Sequence, residues 1–233
     1  HFAAQAGVRY SIKYPRKYLD ANINGFYNII ESSNKNNVKR LFYASSSSVY
    51  GENKNYPLNE KERILPKNMY ALSKKINEEI SSIFNNYYKL KLTGLRFFTV
   101  YGEWWSPDMM MLQFISSYYN KKEFKLFNYG NHERDFTYVK DVALILEKLI
   151  TKKLNKSIIL NICSNSPENI LKITSLFKKK NNLKIKQISK HKADILKTHG
   201  DNSKLFKYTK FKNYSDWKIC LKKFINWYQN EMI

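Results

Sequence analysis

The fold is decided by the stretch Arg40-Leu41-Phe42-Tyr43-Ala44-Ser45-Ser46-Ser47-Ser48-Val49-Tyr50-Gly51. Its first five residues form a short apolar run bounded by polar residues, a pattern typical of a buried strand. Four serines follow at once. The sequence therefore predicts a strand that delivers hydroxyl groups to the edge of a sheet.

A helix is predicted from Tyr70-Ala71-Leu72-Ser73-Lys74 to about Tyr88. Pro66 lies a few residues upstream as a start signal. Apolar residues then recur at helical spacing, at Ile76, Ile80, Ile83, Phe84 and Tyr87. Tyr70 and Lys74 are four residues apart, so a helix places them on one face.

That pairing suggests acid–base chemistry at Tyr70. A free phenol ionises near pH ~10, roughly three units too high for a base at neutral pH. An ammonium one turn away favours the phenolate and lowers its pKa, and the Ser46 hydroxyl can share the proton. Tyr-x-x-x-Lys also occurs by chance on amphipathic helices, so the serine-rich strand end is what favours the catalytic interpretation.

Four stretches, in this order, resemble the motifs of the extended short-chain dehydrogenases/reductases. They are Ala44-Ser45-Ser46-Ser47-Ser48-Val49-Tyr50-Gly51, Tyr70-x-x-x-Lys74, Gly94-Leu95-Arg96-Phe97-Phe98-Thr99-Val100-Tyr101-Gly102 and Arg134-Asp135-Phe136-Thr137-Tyr138. Within that family they are most similar to the nucleotide-sugar 4-epimerases, and closest to the UDP-glucuronate 4-epimerases. The similarity is strong to about residue 150 and weaker beyond it.

The resemblance implies an α/β fold: an incomplete Rossmann-like, doubly wound parallel sheet with a smaller C-terminal α/β portion. Residues 1–102 and 136–166 would form a partial NAD-binding domain, and residues 103–135 and 167–233 the nucleotide-sugar-binding portion. A dinucleotide site needs a Gly-rich turn at a helix N-terminus. The seven glycines contain no G-x-G-x-x-G, and the first residue is His, so we expect an N-terminally truncated fragment.

The resemblance also implies roles for individual residues. Catalysis would fall to Ser46, Tyr70 and Lys74. Residues matching those that hold NAD are Phe2, Ala3, Ala4, Asn22, Tyr70, Lys74 and Phe98. Residues matching those that bind the nucleotide sugar are Arg9, Ser47, Ser48, Thr99, Arg134 and Asp194. No metal site is predicted.

Residue chemistry alone leaves several of these roles open. Arg9 would face the substrate carboxylate, although a lone loop arginine is more often solvated. Arg134 can grip a diphosphate with two parallel hydrogen bonds, or pair with Glu133 or Asp135. Asp194 could be an ordinary turn residue.

The opening segment is equally ambiguous. Ala3 and Ala4 suit close approach to a cofactor, or simply a strand end under a helix. Asn22 sits in a helix predicted to start at Pro15; it is either a hydrogen-bonding residue or a neutral surface one.

The predicted reaction is 4-epimerisation of UDP-glucuronate and UDP-galacturonate. Dehydratases and decarboxylases of the family carry acids after the catalytic hydroxyl, where this chain has Ser47 and Ser48, so they are the rival interpretation. Ser106 stands where UDP-glucuronate 4-epimerases usually have Arg, which weakens the choice of sugar.

The composition is that of a globular protein, with 43% apolar residues and a formal charge of +22. The lysines are spread along the chain without a stacking aromatic platform, so we expect a solvated surface and no nucleic-acid partner; a non-catalytic basic binding module is the alternative. No apolar run is long enough for a membrane span. Two separated cysteines favour a reduced, cytoplasmic setting, and the resemblance implies polysaccharide-precursor synthesis by a homodimer.

Overall fold

The computed structural model describes residues 1–178 and 183–233. Its main sheet has three parallel strands in the order β1 (Leu41–Ser46), β2 (Leu92–Phe97), β6 (Ile158–Ile162). Every residue of β2 except Phe97 is buried, as expected where helices cover both faces of a parallel sheet. The strand predicted at β1 is confirmed.

The N-terminal segment lies beside β1. The His1 amino group donates to the Phe42 carbonyl oxygen at 2.8 Å, and the Ala44 N–H donates to the His1 carbonyl oxygen at 3.1 Å. Helices α1 (Val8–Lys13), α2 (Pro15–Tyr18) and α3 (Gly25–Lys35) follow. A π-helical turn, Leu19–Asn24, joins α2 to α3.

Each face of the main sheet has its own core. Helices α3 and α4 (Met69–Tyr88) cover one face, where Phe26, Ile30, Tyr43, Phe84 and Leu92 pack together. Helices α6 (Val139–Thr151) and α8 (Ser203–Thr209) cover the other, with Leu95, Ile145, Leu149, Leu160 and Leu205. The doubly wound α/β class is confirmed.

A second layer of small sheets contains the remaining elements. These are β3 (Thr99–Tyr101), α5 (Met110–Tyr119), β4 (Phe124–Phe127), β5 (Glu133–Tyr138), β7 (Pro167–Asn169), α7 (Ile170–Lys178), β8 (Ile185–Ile188) and α9 (Trp217–Glu231). β5 pairs parallel with β3 and antiparallel with β7, and β4 pairs parallel with β8. Phe114, Phe124, Phe136 and Phe224 belong to the shared core of this portion.

The predicted domain boundaries stay a prediction, with one departure. Residues 203–211 were expected in the sugar-binding portion, yet Leu205 and Phe211 pack with Leu160 of β6. They do so because this face of the main sheet needs apolar cover. Lys179 and Lys180 belong to a lysine cluster expected at a helix end or loop, and they lie outside the described residues. Within the described ranges, no helix has the length and apolarity that a bilayer crossing requires.

Candidate active site

The serine-rich strand end turns sharply at the carboxyl edge of the main sheet. Ser46 is the last residue of β1, and its hydroxyl accepts a hydrogen bond from the Ser48 N–H at 3.1 Å. The turn continues as a 3₁₀ helix, Ser47–Tyr50. Gly51 has φ 63°, and a Cβ there would lie 1.9 Å from the Leu65 carbonyl oxygen. Only glycine fits at position 51, and the tight turn that it allows keeps the serines at this edge of the sheet.

Tyr70 and Lys74 meet Ser46 at that edge. They occupy the first two turns of α4, whose N-terminus is capped by the Asn68 side chain. The Lys74 Nζ atom lies 6.0 Å from the centre of the Tyr70 ring and donates to the Ala44 carbonyl oxygen at 2.9 Å. The Ser46 side chain lies close enough to the Tyr70 phenol to favour its ionised form. The structure thus brings together the three side chains predicted to act together.

The electrostatic prediction for this trio was wrong in one respect. Lys74 was expected to lower the pKa of Tyr70, but burial raises the pKa of Tyr70 and the Ser46 side chain only opposes that rise. Burial lowers the pKa of the Lys74 amine to about 8. Both groups lose water, so each charged form is disfavoured, and the lysine is a weaker source of positive charge than an exposed one.

A buried ion pair beneath the trio was missed from the sequence. Glu78 of α4 accepts two hydrogen bonds from Arg96 of β2, at 2.8 and 2.9 Å, and a third from the Ser45 hydroxyl at 2.6 Å. Arg96 and Glu78 are only 2% and 7% exposed. The pair fixes α4 to both neighbouring strands. An arginine inside an otherwise apolar strand was the signal in the sequence that could have revealed it.

Asn22 joins the opening segment to helix α4. It is 1% exposed, accepts from the Gln5 N–H at 2.7 Å, and donates to the Gln5 carbonyl oxygen and the Ser73 hydroxyl, each at 3.0 Å. The surface alternative for Asn22 was therefore wrong. Its partners are the backbone of Gln5 and the side chain of Ser73, which directly precedes Lys74.

The residues predicted to hold NAD divide into two groups. Phe2, Ala3 and Ala4 are exposed, so a ligand can approach them. Phe98 is 5% exposed, and its ring packs in the core formed with Tyr50. Only the Phe98 backbone lies at the strand end.

These residues fit the nicotinamide end of a dinucleotide. The Lys74 ammonium has three N–H donors and uses one of them on Ala44, within the part of the chain that the structure describes. A ribose hydroxyl is a suitable acceptor for the others. Small exposed side chains at Ala3 and Ala4 leave room for a flat ring.

The arginines predicted to bind the sugar already have partners within the protein. Arg9 is partly exposed to solvent, with 42% of its side chain accessible, but it pairs with Asp194 at 2.8 and 3.2 Å and stacks 3.6 Å above the centre of the Phe127 ring. Arg134 donates to the Ile195 and Leu196 carbonyl oxygens at 2.6 and 3.1 Å.

The alternative for Arg134, a salt bridge with Glu133 or Asp135, was wrong. The Arg134 guanidinium bonds to the Glu133 carbonyl oxygen and not to its side chain. The Asp135 carboxylate instead accepts from the Ser164 and Gly200 N–H groups at 2.9 and 3.0 Å. Arg134 and Asp135 therefore hold backbone of the segment 195–200.

The remaining predicted residues lie between these groups. Ser47, Ser48 and Thr99 are half-buried near the carboxyl ends of β1 and β2. The Tyr18 hydroxyl donates to the Gly7 carbonyl oxygen at 2.6 Å, and the Tyr18 and Tyr70 rings are 6.2 Å apart. Arg9 follows Gly7 by two residues, so this short segment connects Ser46, Tyr70 and Lys74 to the arginine–aspartate pair.

Comparisons with known proteins agree with this geometry. The NAD dependent epimerase/dehydratase family matches residues 1–163. Protein CapI of Staphylococcus aureus is 36% identical over 98% of this chain and 74% of its own length. UDP-glucuronate 4-epimerase 2 of Arabidopsis thaliana is also 36% identical, over 98% of this chain and 57% of its own length.

A solved structure supports the same assignment. MoeE5 in complex with UDP-glucuronic acid and NAD superposes with a TM-score of 0.93 at 27% identity, covering 98% of this chain and 78% of its own. The fold, the site geometry and the sequence similarity all indicate the same family. The chain belongs to the NAD dependent epimerase/dehydratase family.

Proposed function

We propose that this chain carries the catalytic and sugar-binding part of an NAD-dependent nucleotide-sugar 4-epimerase acting on UDP-glucuronate and UDP-galacturonate. The observation that carries the proposal is the meeting of Tyr70, Ser46 and Lys74 at the carboxyl end of β1. Ligands of open α/β sheets bind at this edge. The similarity to UDP-glucuronate 4-epimerases supports the reaction class.

The chain's own residues would handle the proton. Tyr70 accepts the proton of the sugar 4-hydroxyl, and Ser46 holds the same oxygen by a hydrogen bond. Lys74 holds the nicotinamide ribose and, when protonated, stabilises the phenolate. Bound NAD supplies a reversible hydride acceptor, so the 4-position is oxidised and then reduced on its other face without net redox change.

Two rival functions remain to be compared. A dehydratase or decarboxylase of this family uses an extra acid or base beside the catalytic hydroxyl, but the half-buried residues after Ser46 are Ser47 and Ser48. A non-catalytic basic binding module is suggested by the charge of +22. A catalytic trio with two buried members favours the enzyme over the binding module.

The choice of sugar rests on the relatives more than on charge. UDP-glucuronate appears in the names of both a relative and a solved structure. In this chain Ser106 donates a hydrogen bond to Asp108, and Arg9 is paired with Asp194. Recognition of a uronate carboxylate would then require Arg9 to exchange Asp194 for substrate.

We predict that these 233 residues alone bind NAD weakly and give no turnover, because none of their glycines forms a G-x-G-x-x-G turn. Isothermal titration with NAD at low and high salt tests this. Salt-insensitive micromolar affinity would contradict it. Steeply salt-dependent binding of DNA or RNA would instead favour the basic-module function.

A chimera tests the reaction. The glycine-rich segment of a family member is fused in front of His1, and UDP-glucuronate or UDP-glucose is supplied with NAD. We expect NMR of the products to show inversion at the sugar 4-position, faster for the uronate, and loss of that inversion in Tyr70→Phe. A 4-keto-6-deoxy or decarboxylated product would support the rival enzymes. Homodimer formation, a cytoplasmic setting and a role in polysaccharide synthesis stay predictions.

A further inference from the structure

A buried histidine whose Nε2 atom is unpaired lies beside the arginine–aspartate pair. His132 is 7% exposed and immediately precedes β5. Among residues 1–178 and 183–233 its Nε2 atom has no hydrogen-bond partner, and an Asp194 carboxylate oxygen lies 4.0 Å away, beyond hydrogen-bond range. A buried polar atom without a hydrogen bond destabilises the protein, so a ligand that supplies the missing bond is favoured at this place.

The charges facing His132 come from three parts of the fold. Arg134 lies on β5, Arg9 on α1, and Lys190 and Asp194 on the segment after β8. Three are cations and one is an anion. Asp194 is already shared with Arg9, and Lys190 lies 3.4 Å from Glu52, whereas Arg134 bonds only to backbone carbonyl oxygens in the part of the chain that the structure describes; the surroundings therefore suit an anion.

We infer that His132 is a ligand of the substrate's diphosphate and takes up a proton from solvent when the nucleotide sugar binds. This inference rests on the proposed function, in which the substrate is a nucleotide sugar that carries a diphosphate. Phosphate oxygens would give the Nε2 atom the hydrogen-bond partner that it lacks. The same negative charge would offset the three surrounding cations.

The direction of the pH effect follows from the surroundings. Burial, Arg134, Arg9 and Lys190 lower the pKa of His132 to about 4, and Asp194 opposes them. His132 is therefore neutral at neutral pH. An approaching diphosphate favours the imidazolium, which raises the pKa in the complex. Because the complex binds more protons than the free protein, affinity for the nucleotide sugar increases as pH falls.

The test uses UDP-glucose, since the terminal phosphate of UDP itself titrates near pH ~6 and would obscure the result. Isothermal titration at about pH 7.5 and about pH 5.5 should show about fourfold or greater tightening for the wild-type chain. For His132→Gln, the affinity for UDP-glucose should be nearly the same at the two pH values. His199→Gln is the matched control, because the ring of His199 bonds to Asn165 and stacks on Tyr56.

NMR gives a readout that a merely structural role would not change. The chain has four histidines, and the His132→Gln spectrum identifies the ring signal of His132. We expect this signal to titrate at a higher pH after UDP-glucose is added. An unshifted titration with UDP-glucose bound would overturn the inference and leave the proposed function standing. Failure of UDP-glucose and UDP-glucuronate to bind at either pH would overturn both.

Discussion

Helices α4 and α9 are both amphipathic, yet they bury opposite kinds of surface. α9 buries Cys220, Leu221, Phe224 and Tyr228 and turns its lysines outward. α4 buries Ala71, Ser73, Lys74, Asn77, Glu78, Ser81 and Phe84. Its apolar residues Ile83 and Tyr87 are 52% and 77% exposed. A helix that only docks follows the hydrophobic pattern, whereas the helix that carries the predicted catalytic residues buries polar groups, most of which have specific partners.

The largest effect that sharpens this comparison is expected for Glu78→Gln. It leaves the Arg96 guanidinium buried with its charge unpaired, so the free energy of unfolding should fall by about 4 kcal/mol. Urea denaturation measures this. The adjacent Glu79→Gln, on the exposed side of α4, is the control. Equal stability of the two variants would mean that the polar face contributes no more than an ordinary surface.

The corresponding change in α9 is Leu221→Ala. Leu221 is 3% exposed, and its truncation should cost about 3 kcal/mol of unfolding free energy through lost contacts and a residual cavity. Ile219→Ala, on a side chain 56% exposed, should stay within about 0.5 kcal/mol of wild type. A large loss at Ile219 would contradict the assignment of faces.

A third test uses the pH dependence of stability, to which the buried lysine of α4 should contribute. Folded Lys74 has a pKa of about 8 against 10.5 for the unfolded residue, so between these values the unfolded chain binds more protons. Unfolding free energy should therefore rise with pH across this window, by at most about 1.4 kcal/mol per unit. Lys74→Met should remove that rise. If the free energy of unfolding changes with pH in the same way in wild type and variant, burial does not lower the pKa of Lys74.

The smallest expected effect concerns the caps, which should not distinguish the helices. The Asn68 side chain accepts from the Ala71 N–H at 2.9 Å, and that of Asp216 from the Lys218 N–H at 2.8 Å. Replacing either with Ala should cost about 1 kcal/mol by thermal denaturation. A loss at Asn68 that far exceeds the loss at Asp216 would mean that its cap also positions Tyr70.

Local sequence patterns predicted much of this fold. The strand β1 and the helix α4 lie within a residue or two of their expected limits, because apolar runs and start signals are local. The meeting of Ser46 with Tyr70 could also be predicted, since the motif resemblance supplied the long-range pairing. The functional roles of these residues stay predictions.

The rest depended on contacts between distant segments. The Arg134 partners lie some sixty residues further along the chain, at the Ile195 and Leu196 carbonyl oxygens. The depth of burial that raises the pKa of Tyr70 cannot be judged from its helical neighbours alone. The Glu78–Arg96 pair joins a helix to a strand, and no periodic pattern reports such a pairing.

The π-helical turn Leu19–Asn24 makes chain length itself a determinant of the site. A π turn holds one residue more than an α-helical turn, so removing one residue there would restore regular α-helical winding and turn the side chains within this segment to other directions. Asn22 would then leave Gln5 and Ser73, and the backbone carrying Gly7 and Arg9 would lose its anchor to α4. Engineering of this segment must therefore conserve its residue count as strictly as its side chains.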